Sequence, residues 1–186
     1  MAGRLVILDR DGVINHDSAA FIKTPDEWRP IDGSLEAIAA LSVAGFDVAV
    51  ASNQSGVGRK LLDRPTLDAI HDKMLKRVRE AGGDIGQVIY CPHHPDDGCD
   101  CRKPKPGMLI ALSRRYGVPL TNVPVIGDSV RDIDAAIAAG ARPILVRTGN
   151  GAVAEAVLAS RGVAVEVFAD LREAVDRLLH EAKGGR

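Results

Sequence analysis

The sequence predicts an α/β fold: a mostly parallel sheet in three layers, α/β/α, with helices on both faces. Two observations carry this. Short apolar, β-branched runs alternate with longer stretches of helical pattern along the whole chain. Polar clusters follow directly after three of those runs, where the strands of an open parallel sheet would end.

The first run, Leu5–Leu8, reads as a buried strand. It leads into Asp9-Arg10-Asp11-Gly12-Val13, two carboxylates two residues apart at a place where unpartnered charge is costly. His16–Asp32 interrupts the alternation as a polar loop holding Pro25, Trp28 and Pro30, and a loop of this length in a compact domain is usually functional. Trp28 reads as packed beneath it rather than as the anchor of a lid. A helix over Ser34–Val43 precedes a strand over Phe46–Ala51, which delivers Ser52-Asn53-Gln54-Ser55-Gly56. The helix over Pro65–Ala81 places Leu67, Ile70, Met74, Leu75 and Val78 on one face. A strand over Gln87–Tyr90 enters the second long loop, Cys91–Pro106. Next come a helix over Gly107–Tyr116 and a strand over Val123–Ile126, followed by Gly127-Asp128-Ser129, with Asp132 four residues after Asp128. The rest alternates: helix Arg131–Ala139, strand Pro143–Val146, helix Ala152–Ser160, strand Val163–Phe168 and helix Leu171–Ala182. Asp170 and Glu173 form a near capping box for the last helix. Without repeat, low-complexity segment or linker, 1–186 reads as a single domain with a frayed tail at 183–186.

Composition excludes several functions. The formal charge is −1, so no basic surplus drives nucleic-acid binding by counterion release, and at 3% aromatic residues there is no base-stacking platform. No apolar run approaches membrane-spanning length. Met1-Ala2-Gly3-Arg4 leads into the first strand with no signal-peptide pattern. The expectation is a cytoplasmic monomer acting on a small molecule, with no nucleic-acid or membrane partner. In a reducing compartment the clustered Cys91, Cys99 and Cys101 suggest metal ligation over disulfides.

Asp, Asn, Ser and Gly are turn residues, so each polar cluster alone is satisfied by a turn or cap. Three clusters at the same edge of one sheet point to a site. Together, Asp9-Arg10-Asp11-Gly12, Ser52, Lys103 and Gly127-Asp128-Ser129-Val130-Arg131-Asp132 resemble the four motifs of the haloacid dehalogenase superfamily of phosphotransferases. The resemblance implies a Rossmann-like fold of the capless type and a Mg²⁺-dependent phosphatase. A carboxylate nucleophile splits a very slow hydrolysis into two steps, and a divalent cation offsets the repulsion between carboxylate and phosphate. By resemblance Asp9 is the nucleophile and a Mg²⁺ ligand. Asp11 is the general acid/base and gives its backbone carbonyl to the metal. Asp128 is a further Mg²⁺ ligand, with Asp132 orienting it or a metal-bound water. Ser52 and Lys103 bind the phosphoryl oxygens, with backbone N–H groups of Asn53–Gly56 facing the phosphate. A phosphate-accepting receiver module is the non-enzyme alternative, but a receiver has no need of a second carboxylate two residues after the first. Gly56-Val57-Gly58 follows the wrong strand for a dinucleotide fingerprint.

The Cys91–Pro106 loop carries a C-x-H and a C-x-C pair, which suit tetrahedral Zn²⁺ with no open position. Spacing leaves His93 and His94 both open; the resemblance selects Cys91, His93, Cys99 and Cys101 as a structural zinc site. Closing the loop on a metal would fix Arg102 and Lys103 in place. Within the superfamily this loop is shared by the D-glycero-D-manno-heptose 1,7-bisphosphate 7-phosphatases of nucleotide-heptose and lipopolysaccharide-core biosynthesis and by the histidinol-phosphate phosphatases. Asn53-Gln54-Ser55-Gly56, Cys91-Pro92-His93-His94-Pro95 and the run from Cys99 to Met108 are more similar to the first group. That group implies substrate contacts from Asn53, Gln54, Ser55, Arg102 and Ser129. The chain departs from it at Phe21, where a tyrosine is common, and at Ser129, where some members carry lysine. With no room for a separate cap, the two long loops must exclude water.

Overall fold

In a computed structural model, residues 4–184 are described; the expectations for Met1–Gly3 and for the last two residues lie outside the described residues. Six strands form one sheet: β1 (Arg4–Leu8), β2 (Phe46–Asn53), β3 (Gln87–Cys91), β4 (Pro124–Gly127), β5 (Arg142–Val146) and β6 (Glu166–Phe168). Every pairing is parallel, in the order β3-β2-β1-β4-β5-β6. The α-helices are α1 (Ser34–Val43), α2 (Ser55–Gly58), α3 (Arg64–Glu80), α4 (Gly107–Tyr116), α5 (Val130–Ala138), α6 (Gly151–Ser160) and α7 (Leu171–Gly184).

Side chains alternate across the strands and so build two separate cores. In β1, Val6 and Leu8 join Ile38 and Leu41 of α1, Ile70, Met74 and Val78 of α3, and Val175 of α7. Leu5 and Ile7 point the other way, to Leu109 and Leu112 of α4 and Ala135 and Ala136 of α5. A smaller cluster beneath α6 joins Ile133, Leu145, Ala154 and Leu158. The expected three layers are therefore α1, α3 and α7 on one face and α4, α5 and α6 on the other.

Several boundaries differ from the sequence pattern. β2 runs two residues beyond Ala51, so Ser52 and Asn53 pair in register with Tyr90 and Cys91. β6 is an edge strand whose ladder to β5 covers only Glu166–Phe168; Val163 and Val165 pack instead against the cluster beneath α6. The tail expected to fray at 183–186 is helical as far as the described residues go. There α7 continues through Gly184, with Lys183 placed to complement the negative end of the helix dipole. The turn α2 was not expected from the sequence.

The chain builds outward from β1 to β3, then returns to lay β4 on the other side of β1. This reversal of strand order is where ligands bind in open α/β sheets. The His16–Asp32 loop is folded back over this end of β1. His16 N–H donates to the Arg29 carbonyl (3.0 Å), Ile31 N–H to the Ile14 carbonyl (2.9 Å) and the Ser34 hydroxyl to the same Ile14 carbonyl (2.7 Å). Trp28 is 1% exposed and belongs to the α1/α3/α7 core, as its packing reading requires.

Candidate active site

Asp9 is the first residue beyond β1, its N–H donating to the Ile126 carbonyl of β4 (2.9 Å). Lys103 arrives from the second long loop and is buried. Its Nζ lies 3.0 Å from Asp9 Oδ1, 2.5 Å from Asp132 Oδ1 and 2.7 Å from the Ala51 carbonyl. Donor oxygens of Asp9, Asp128 and Asp132 lie within 4.8 Å of one another. Three carboxylates facing one ammonium leave surplus negative charge. Burial, then the charge of Asp132, push the Asp9 carboxyl up to about 8 against the pull of Lys103; Asp128 and Asp11 add to the rise. Burial also pushes Asp128 up to about 6, with Asp132 and Asp17 adding to it and the Asn150 N–H opposing it. Lys103 is held above its ordinary value: burial disfavours its charge, but Asp132 and Asp9 more than compensate. An all-oxygen donor set with surplus negative charge fits a hard divalent cation such as Mg²⁺.

Asp132 serves two partners. Its Oδ2 accepts from the Ser129 N–H (3.0 Å) and hydroxyl (2.6 Å), a reciprocal cap on α5. Ser129 lines the pocket, but its hydroxyl is committed to this cap.

Asp11 is surrounded by donors. Arg10 Nε and Nη2 reach its two oxygens at 3.0 Å each, Asn15 Nδ2 reaches Oδ1 at 2.9 Å and Gln54 Nε2 reaches Oδ2 at 2.8 Å. Burial would raise this carboxyl, but the Arg10 charge and these hydrogen bonds outweigh it and hold Asp11 below the ordinary carboxylate range. Gln54 Nε2 also donates to the Ser52 hydroxyl (2.8 Å). Asn53 pairs both ways with the Lys103 backbone, accepting its N–H (3.1 Å) and donating to its carbonyl (3.0 Å). The carboxamides of Asn53 and Gln54 are thus engaged within the protein, Asn53 tying the second loop to β2.

The loop after β5 was missed by sequence reasoning. Asn150 N–H donates to Asp128 Oδ2 (2.8 Å), and the Thr148 hydroxyl donates to the Gly12 carbonyl (2.6 Å). Gly12 and Gly149 both have positive φ, and a Cβ at either would collide with Asp128 Oδ2. Thr148-Gly149-Asn150-Gly151 after an apolar run was the available signal, another polar cluster at a strand end. Arg10 and Asn15 lay within the run that matches the family at the end of the first strand but had no role assigned to them, and His71 carried no signal.

Asp9, Asp11, Lys103, Asp128, Asp132 and Asn150 line a cavity of about 300 Å³, walled by Asp17, Ser18 and Phe21 of the first loop, Pro95 and Arg102 of the second, and Ser52–Ser55, Arg59 and Arg131. Arg102 Nη1 is buried there without a hydrogen-bond partner among the described residues.

At the root of the second loop, Cys91 Sγ lies 3.6 Å from Cys99 Sγ and 3.5 Å from His93 Nδ1. Cys101 Sγ is 3.6 Å from Cys99 Sγ and 3.2 Å from His93 Nδ1. Tetrahedral Zn²⁺ with bonds of about 2.3 Å needs sulfur–sulfur edges of about 3.8 Å, so the cluster fits that ion. His94 is used elsewhere: its Nδ1 accepts from the Asp96 N–H and its own N–H donates to Asp97. His93 is therefore the histidine in the cluster.

Comparison with known proteins agrees with this geometry. A HAD-hydrolase-like family model matches residues 100–174, and a polynucleotide kinase 3 phosphatase model matches residues 5–133. The D-glycero-beta-D-manno-heptose-1,7-bisphosphate 7-phosphatase of Pseudomonas putida is 57% identical over 148 residues, 80% of this chain and 85% of that protein. The enzyme of the same name from Bordetella bronchiseptica is 51% identical over 181 residues, covering 96% of this chain and 99% of that protein. A crystal structure of D,D-heptose 1,7-bisphosphate phosphatase from B. bronchiseptica, complexed with magnesium and phosphate, matches at a TM-score of 0.91 and 51% identity, covering 96% and 99% of the two chains.

Proposed function

This chain belongs to the D-glycero-β-D-manno-heptose-1,7-bisphosphate 7-phosphatase family of HAD-like hydrolases, and on that premise we propose that it removes the C7 phosphate of D-glycero-D-manno-heptose 1,7-bisphosphate, a step of nucleotide-heptose and lipopolysaccharide-core biosynthesis. It is a phosphoric monoester hydrolase, which sets the receiver alternative aside. The observation that carries the phosphoryl-transfer reading is the Asp9–Lys103–Asp132–Asp128 cluster at the β1/β4 switch point; the choice of heptose bisphosphate is supported by likeness to the relatives of that name.

In the proposed reaction an Asp9 oxygen attacks phosphorus. The ester bond breaks, its electron pair stays on the C7 oxygen, and that oxygen takes a proton from Asp11. Water then attacks the aspartyl-phosphate and gives its proton to Asp11. The Asp9–phosphorus bond breaks, restoring the carboxylate and releasing inorganic phosphate. Asp11 rests as a carboxylate beside Arg10, and a phosphate dianion arriving at the site favours its protonated form. Lys103 and Ser52 hold the phosphoryl oxygens. Mg²⁺, held by Asp9, Asp128 and the Asp11 backbone carbonyl with Asp132 behind them, would supply positive charge opposite those oxygens. Arg102, with its orphaned buried donor, and Ser55 at the pocket wall are the proposed substrate contacts. The Cys91, His93, Cys99 and Cys101 cluster would hold a structural Zn²⁺.

The test compares kcat/KM on heptose 1,7-bisphosphate and on histidinol phosphate. A clear preference for the bisphosphate is expected, and the reverse preference would move the chain to the histidinol-phosphate group.

A further inference from the structure

Arg10 is 1% exposed, and Asp11 is its one carboxylate partner among the described residues. Nε and Nη2 grip the Asp11 carboxylate side-on, Nη2 also donates to Gln54 Oε1 (3.1 Å), and Nη1 faces Nε2 of His71 on α3 at 3.2 Å. Arginine only donates, so His71 Nε2 accepts and its proton sits on Nδ1. His71 is itself buried, its ring tilted against Tyr90. If this corner only needed filling, an apolar residue would fill it without the cost of burying a guanidinium. The charge grips one particular group. That group lines the pocket and, in the proposed reaction, hands a proton to the leaving oxygen.

We propose that Arg10 is a positioning residue for phosphoryl transfer, with His71 as its support: the guanidinium fork sets the plane of the Asp11 carboxylate toward the leaving-group oxygen. This rests on Asp11 being the acid. Asn15 and Gln54 each add a single bond to one carboxylate oxygen; the rigid planar fork alone grips both oxygens at once and so aligns the carboxylate with its own plane.

The experiment is a leaving-group comparison. kcat/KM, which reports only through the first irreversible step, is measured on heptose 1,7-bisphosphate and on p-nitrophenyl phosphate with the same preparation. A sugar alkoxide needs a proton to depart and p-nitrophenolate does not, and any inactive fraction cancels in the ratio. Arg10→Lys keeps the charge and loses the fork. It is expected to lower the bisphosphate-to-nitrophenyl ratio on the order of 10²-fold, the scale of general acid catalysis. His71→Leu lowers the ratio by a smaller factor, and His71→Gln, whose amide oxygen can accept from Nη1, restores it. If Arg10→Lys does not fold, the His71 pair decides. Asp11→Asn is the reference and should itself collapse the ratio. A collapse there with an unchanged ratio in the Arg10 and His71 variants overturns the proposal and leaves a structural ion pair. An unchanged ratio in Asp11→Asn overturns the acid reading, and the proposal with it.

Discussion

At Asp9, folding and chemistry pull in opposite directions. The residue is half-buried among Asp132, Asp128 and Asp11, and its carboxyl is pushed up to about 8. Between about pH 4 and pH 8 the folded, metal-free chain keeps a proton on Asp9 that the unfolded chain has released, so this group lowers stability as pH rises through that window. Asp9→Asn should abolish phosphatase activity by on the order of 10³-fold or more. In chelator it should also melt higher than the parent, by a margin widest near pH 8 and vanishing toward pH 4; thermal melts across that range measure it. Lys103→Met should act the other way, leaving Asp9 and Asp132 without their cation at a cost of about 3–5 kcal/mol in denaturant titration. Asp9, Asp11, Asp128 and Lys103 stood out in the sequence by residue type and order, and the structure brings them together around one cavity. Arg10 did not, because a charged residue between two aspartates reads as solvated until its burial is seen.

At the level of elements, the second loop is built from its two ends. The Cys/His cluster closes its root, and the two-way pairing of Asn53 with the Lys103 backbone ties its far end to β2. Cys101→Ser, two residues from Lys103, should lower bound Zn²⁺ from about one per chain and reduce kcat, and added Mg²⁺ should not restore it; metal analysis and turnover on one sample test both parts. The loop after β5 makes a second demand. Gly149→Ala would push a Cβ into Asp128 Oδ2, so the expected result is a higher Mg²⁺ concentration for half-maximal activity together with about 1–3 kcal/mol of destabilisation. The helices and strands were readable from local period. The ends of β2 and β6 were not, because they are set by how far each neighbouring strand extends.

Across the whole molecule, the reversal of strand order at β1 gathers parts that lie far apart in the chain. Thr148 bonds to Gly12 across 136 residues and Arg10 meets His71 across 61. Among the described residues, the two long loops wall the cavity directly. Mg²⁺ and inorganic phosphate together should therefore raise the melting temperature through binding to the folded state alone, and Asp128→Asn should remove most of that rise. The sequence by itself determined the α/β class, the face that α3 buries, the acidic and Cys/His motifs, and the sheet edge that carries them. These follow from periodicity and residue type, which are local. Only the tertiary structure decided that Asn53, Gln54 and Ser129 spend their side chains inside the protein, that Arg10 and His71 stand behind Asp11, and that Asn150 holds Asp128. Each of these is settled by what a polar group meets once buried, and the chain acquires those partners only when distant segments pack together.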